Sequence, residues 1–126
     1  MILVVDASAI AAVLYGETEG ATIQAHVRGE TMIAPDLIDY ELANASLRKA
    51  RRQPELAASL LMMLTKLRTL SIRRERVPAL EAAELALQTG LSAYDASYLW
   101  LALAHDVELV TLDKRLADVN QRLREE

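Results

Sequence analysis

The chain of 126 residues contains no cysteine. Disulfides and thiolate–zinc sites are therefore excluded, a reducing compartment suits the protein, and a cytoplasmic location is expected. Glycine and proline are sparse, at four and three residues. No Gly-, Ser- or Pro-rich tract, internal repeat or low-complexity segment marks a linker, so a single domain over residues 1–126 is expected, long enough for one sizeable core. No apolar run reaches the roughly 18 residues of a membrane helix. The first run is cut by Asp6, which also denies it the form of a signal-peptide core. No membrane contact is expected. A surplus of positive charge is missing too: 14 Lys and Arg face 18 Asp and Glu, for a formal net charge of −4. A protein that holds nucleic acid by charge alone is normally basic. Either nucleic acid is not the partner, or the acids are concentrated where they serve another purpose.

What is present is a half-hydrophobic chain, rich in Leu and Ala, whose pattern alternates strands with helices. Residues 2–5, Ile-Leu-Val-Val, run apolar without alternation, as in a strand buried on both faces of a parallel sheet. Further strands are expected at 31–34, 70–73 and 108–111. Helices are expected at 8–15, 17–28, 36–52 with Asp36 as its cap, 55–68, 77–89, 92–105 and from Asp113 to about 122. This order implies an α/β fold with a parallel sheet.

Four acids stand out. Asp6 and Asp113 each follow an apolar strand and precede a helix, the usual place of chemistry in open α/β folds. If the first and fourth strands are neighbours, the two carboxylates converge. Each also reads simply as a helix N-cap, worth about 1 kcal/mol. Asp95 begins the most apolar helix, where Ser92-x-x-Asp95 has the form of a capping box. A helix apolar all round is buried, and a carboxylate there needs a cation, a proton or donors. Glu41 has no opposite charge three or four positions ahead, and a solvated surface glutamate is the ordinary reading. Taken jointly, four acids from separate parts of the chain meet only through folding. Clustered carboxylates raise one another's pKa values, and a divalent cation removes that penalty. Hard Mg²⁺ or Mn²⁺ takes oxygen ligands and activates water against a phosphodiester. His26 and His105 lie in ordinary surface or helix-end contexts. A Walker loop, a GxGxxG turn and a nucleophile elbow are all missing.

The stretches VVDASA, PDLIDYELANAS, LSAYDASYLWLA and LVTLDKRLA, in this order across nearly the whole chain, resemble those of PIN-domain ribonucleases, and most of all VapC-type toxins of toxin–antitoxin pairs. The resemblance implies a three-layer α/β/α fold with a central parallel sheet of four to five strands. It implies metal-dependent endonucleolytic cleavage of RNA, with Asp6, Glu41, Asp95 and Asp113 as the acidic catalytic site. Asp6 and Asp95 are the first candidates for metal ligands, and Glu41 and Asp113 the next. Ser8 and Thr111 match the hydroxyl residues that support the first and last motifs. The partners implied are RNA, a small VapB-type antitoxin and a second copy of the chain in a homodimer. Many relatives carry a further apolar strand after the last helix; here residues 120–126, Asn-Gln-Arg-Leu-Arg-Glu-Glu, show none, so either the sheet has one fewer edge strand or that strand has been trimmed from this sequence.

Arg48, Lys49, Arg51 and Arg52 cluster at the end of the Glu41 helix, where cations also suit the helix dipole. They are candidates for gripping RNA phosphates. Arg68, Arg73, Arg74 and Arg76 form a second basic group. The Leu/Met-rich segment 55–68 carries more apolar positions than one stripe needs, and its hairpin with the Glu41 helix is a candidate surface for an antitoxin or a second subunit. Two alternatives stand beside the nuclease. A receiver-like phosphoacceptor module shares the length and the acid after the first strand, but needs an aspartate after the third, where none is found. A PIN-like domain that only binds would share every motif.

Overall fold

The computed structural model describes residues 1–126, Met1 to Glu126. Strands β1 (Ile2–Val5), β2 (Thr31–Pro35), β3 (Ile72–Glu75) and β4 (Glu108–Val110) form one sheet in the order β3-β2-β1-β4, and every pairing is parallel. The two inner strands, β1 and β2, are the two continuous apolar runs. Val4, Val5, Ile33 and Ala34 are fully buried, because a central parallel strand has helices over both faces. No helix is long and apolar enough to cross a membrane.

The helices are α1 (Ala7–Leu14), α2 (Gly20–Val27), α3 (Ile38–Arg52), α4 (Ala57–Met62), α5 (Ala79–Thr89), α6 (Ala93–His105) and α7 (Lys114–Arg124). The strand order assigns them to layers. The chain steps from β1 to β2 to β3 in one direction, then returns past β1 to β4. With right-handed crossovers, α1 to α4 cover one face, and α5 and α6 cover the other. The packing agrees: α6 lies on β1, β2 and β4 with α5 against it, while α1 packs on α2 and α3, and α4 on α3. The fold is thus three-layer α/β/α. Gly20 is required where α1 and α2 meet, since a Cβ there would stand 2.4 Å from the Ala12 carbonyl oxygen.

Three local expectations need correction. Asp36 does not cap α3. Its N–H donates to the Glu75 carbonyl, prolonging the β2–β3 ladder by one residue, and the helix begins after Leu37 without a side-chain cap. Segment 55–68 is not one helix. Pro54–Leu56 and Met63–Thr69 are 3₁₀ turns on either side of a short α4. Thr65 and Thr69 each donate their hydroxyl to the carbonyl three residues back, the local competition by which threonine disturbs a regular helix. The third strand lies two residues later than expected, at Ile-Arg-Arg-Glu, and ends without the aspartate a phosphoacceptor needs. As an edge strand it tolerates the polar residues that hid it. Expected helix ends elsewhere are met to within about three residues.

Candidate active site

Asp6 and Asp113 follow β1 and β4, which are direct neighbours. The chain leaves β1 towards β2 on one side, and β4 flanks it on the other. The crevice at the carboxyl ends of these strands is therefore the switch point of the sheet, where open α/β folds place their ligands. Both residues are also N-caps: Asp6 Oδ1 accepts from the Ala9 N–H at 3.0 Å, and Asp113 Oδ1 from the Leu116 N–H at 3.1 Å. Capping does not remove either residue from the cleft. Glu41 lies in the first turn of α3 and Asp95 in the first turn of α6. All four carboxylates line one cleft of about 290 Å³, with Ser8, Asn44, Arg48 and Tyr98.

Each acid is held differently. Asp6 is buried and its oxygens are occupied. Ser8 Oγ donates to Oδ1 at 2.7 Å, and the Thr111 hydroxyl donates to Oδ2. The hydroxyls are themselves fixed, Ser8 by the Leu112 N–H at 2.9 Å and Thr111 by the Asp113 N–H at 3.0 Å. Ser8 and Thr111 thereby tie the β1 end to the β4 end. Glu41 Oε1 accepts from the Tyr98 hydroxyl at 2.6 Å. Asp95 forms only half of a capping box: Ser92 Oγ receives the Asp95 N–H at 3.1 Å, but the Asp95 carboxylate makes no return bond and faces the cleft.

Electrostatics record the crowding. Burial pushes the Asp6 carboxyl above its ordinary 3.8, against the pull of Thr111, Ala9 and Ser8, and Asp113 adds to the rise. Burial raises Glu41 above 4.5, opposed by the Tyr98 hydrogen bond and by Arg48, and assisted by Asp95 and Asp6. Asp95 is raised by burial and then by Asp113 and Asp6, with Arg115 opposing. The phenol of Tyr98 is pushed up by burial and by Glu41.

The donor set suits a hard divalent cation. It consists of oxygens with no thiolate or imidazole, and its members destabilise one another's charged forms in the way a cation would relieve. No three acidic or imidazole side chains stand in ready-made ligand geometry. A cation that keeps part of its water shell is held by one or two carboxylates; the Asp95 carboxylate accepts no hydrogen bond, and Asp6 Oδ2 keeps a second lone pair beside the one Thr111 uses.

The basic cluster on α3 is divided. Arg48 lines the acidic cleft. Lys49 stands over the Tyr15 ring at 4.9 Å and 3.9 Å from Glu17. With Arg52 it borders a separate groove against Leu60 and Met63, and Arg51 is exposed. In the second group, Arg74 is paired with Asp39 at 2.6 Å and Arg73 with Glu75 at 3.0 Å. His26 and His105 are surface partners of Glu108 and Glu75. Sequence reasoning missed Tyr98, Asn44 and Arg115 at the site. The three-residue spacing of Asp95 and Tyr98, which places both on one face of α6, was the signal available for Tyr98.

Comparison with known proteins agrees with this geometry. The PIN domain family model matches residues 3–121. The chain is 37% identical over 119 residues to Ribonuclease VapC9 of Mycobacterium tuberculosis, covering 94% of this chain and 91% of the relative. It is 35% identical to Ribonuclease VapC3 of Pyrobaculum aerophilum, covering 94% of each. The crystal structure of PAE2754 from Pyrobaculum aerophilum superposes over the whole of both chains with a TM-score of 0.73 and 27% identity. These matches set aside the receiver-like alternative: the chain belongs to the PIN-domain family, within its VapC ribonuclease group.

Proposed function

We propose that this protein is a divalent-metal-dependent endoribonuclease and the toxin of a toxin–antitoxin pair. The observation that carries the reading is the meeting of Asp6, Glu41, Asp95 and Asp113, from four separate elements, around one cleft at the switch point of the sheet. The relatives' description as VapC ribonucleases supports it.

Asp95 and Asp6 are the proposed metal ligands, with Glu41 and Asp113 completing the acidic ring. Mg²⁺ or Mn²⁺ bound there would supply charge neutralisation for the phosphodiester and a more acidic water. The protein's own residues do the rest. Ser8 and Thr111 keep Asp6 fixed, so its oxygens need not reorganise during the reaction. Tyr98 holds Glu41 in place through Oε1, which leaves the second carboxylate oxygen free to act as a general base. Arg48, at the rim, binds a phosphate of the strand, and Arg51 and Arg52 extend the track beyond the cleft, with Lys49 beside them.

The partner surface is the hairpin of α3 and α4, where Leu47, Leu56, Leu61 and Met62 are exposed. It serves a VapB-type antitoxin or the second subunit of a homodimer. The test of the function is RNA cleavage with and without divalent metal, beside the Asp95→Asn variant. Metal-dependent cleavage lost in the variant supports the nuclease; a folded wild-type protein inert on all RNAs leaves a PIN-like domain that only binds.

A further inference from the structure

The chain has four tyrosines, and they divide sharply. Tyr15 and Tyr98 direct their hydroxyls to Ser46 and Glu41. Tyr40 and Tyr94 serve neither the core nor an internal bond: they are 79% and 64% exposed. Both line one groove of about 490 Å³ with Leu37, Glu41 and Asn44. Glu41 and Asn44 also line the acidic cleft, so the groove is a lateral extension of the site. The sequence explains the placement. Tyr40 immediately precedes Glu41 on α3, and Tyr94 immediately precedes Asp95 on α6. Consecutive helical residues point about 100° apart. When the two acids turn into the cleft, the two tyrosines are carried to its flank, one from each facial layer of the sheet.

We propose that Tyr40 and Tyr94 form a stacking slot for an unpaired nucleobase adjacent to the scissile phosphate, with the Asn44 amide at its edge. The inference rests on the ribonuclease reading above and adds to it the two residues that hold a base beside the reacting phosphate. A base has a flat π-face whatever its identity, and aromatic side chains beside a backbone-binding groove are how single strands are held. A base still paired in a duplex is stacked on its neighbours and cannot enter. The groove contains a carboxylate and an amide and shares both with the acidic cleft, which favours a nucleotide over the apolar face of a protein partner.

The test is fluorescence anisotropy of a short labelled oligoadenylate in Ca²⁺, with the same strand annealed to its complement as control. It compares wild type with Tyr40→Ala, Tyr94→Ala, Tyr40→Phe and Tyr94→Phe, each checked by thermal melting. Each alanine variant is expected to weaken single-strand binding about ten-fold. The phenylalanine variants should bind as wild type does, and the duplex should show no dependence on either ring. Equal binding by wild type and alanine variants overturns the slot, as does loss in the phenylalanine variants, or absence of RNA binding by wild type. Loss of antitoxin binding alone in the alanine variants would assign the groove to protein instead. Cleavage in Mg²⁺ is scored separately. Metal-dependent cleavage with ring-independent binding removes the slot and keeps the nuclease, and ring-dependent binding without any cleavage does the reverse.

Discussion

Tyr98 and Glu41 are 57 positions apart in sequence and joined by one hydrogen bond of 2.6 Å. The buried phenol has no other partner, and Glu41 gains from it the one donor that offsets its desolvation. Tyr98→Phe keeps the ring volume and removes only that bond. A hydrogen bond to a charged acceptor contributes about 1.5–3 kcal/mol, and the lower end applies here because Glu41 is only half-buried. We expect the variant to fold normally and to lose about ten-fold in kcat with little change in KM, measured on any RNA it cleaves. Unchanged kcat would remove Tyr98 from the positioning of Glu41. Arg48 makes a different prediction. Charge reversal there should weaken RNA binding more than reversal at Arg51 or Arg52, since only Arg48 lines the cleft. It should also lower the slope of log affinity against log salt by about 0.7 for each phosphate no longer neutralised, read from titrations at several salt concentrations. Equal effects at all three positions would contradict the division of the cluster. At this scale the four acids and two hydroxyls were legible, because each sits beside a strand end or a helix start that the sequence marks. Tyr98 was not, because in an apolar helix a tyrosine reads as core until its hydroxyl's partner is known.

At the scale of elements, the site is a meeting of helix N-termini. Asp6 and Asp113 cap α1 and α7, and Glu41 and Asp95 occupy the first turns of α3 and α6. Every one of these positions is locally favourable for an acid, because the helix dipole and free N–H groups favour negative charge there. That is why Asp6, Asp113 and Asp95 each had an ordinary capping explanation when taken alone. Parallel strands that all end at one edge bring those helix starts together, and the local advantages become a shared repulsion. The elements hardest to read were those under weak tertiary demand. The edge strand β3 carries Arg73 and Arg74 where an inner strand would be apolar, and its bounds were misplaced. The segment around α4 is broken by Thr65 and Thr69, although its Leu/Met content suggests a continuous helix. This same segment leaves Leu56, Leu61 and Met62 open to solvent. Amide hydrogen exchange should show α3 and α4 gaining protection when the antitoxin binds or the homodimer forms. Equal exchange in the free and assembled protein would place the interface elsewhere.

For the whole molecule, the acidic ring links stability to pH and metal. The carboxyls of Asp6, Glu41 and Asp95 are all raised in the folded state. Between their ordinary and their raised values, the folded protein binds more protons than the unfolded chain. Stability therefore falls as pH rises from the ordinary carboxylate range towards neutrality. Glu75, lowered chiefly by its hydrogen bond to His105, acts in the opposite sense and loses its contribution as pH falls; it is one exposed pair against three cleft acids. Metal-free protein should thus melt higher at mildly acidic pH than at neutral pH. Added Mg²⁺ or Mn²⁺ should raise Tm at neutral pH and have less effect at acidic pH, where protons compete. Asp95→Asn should raise the metal-free Tm and blunt the response to metal. A melting temperature independent of metal at every pH would contradict a cation site in the cleft. The global arrangement was legible because strand–helix alternation and right-handed crossovers leave few topologies, and a central β1 with acids after β1 and β4 is one of them. The net charge of −4, which argues against nucleic acid when averaged over the chain, agrees with it once the acids are located at one edge of the sheet.

RNA cleavage by this acidic cleft with a divalent metal can be tested directly. The most direct measurement incubates purified, antitoxin-free protein with a mixed RNA pool under Mg²⁺, Mn²⁺ or chelator, beside folded Asp95→Asn. Cleavage that requires metal and disappears in the variant is the predicted result. Cleavage that survives chelation, or that is equal in wild type and variant, would contradict it.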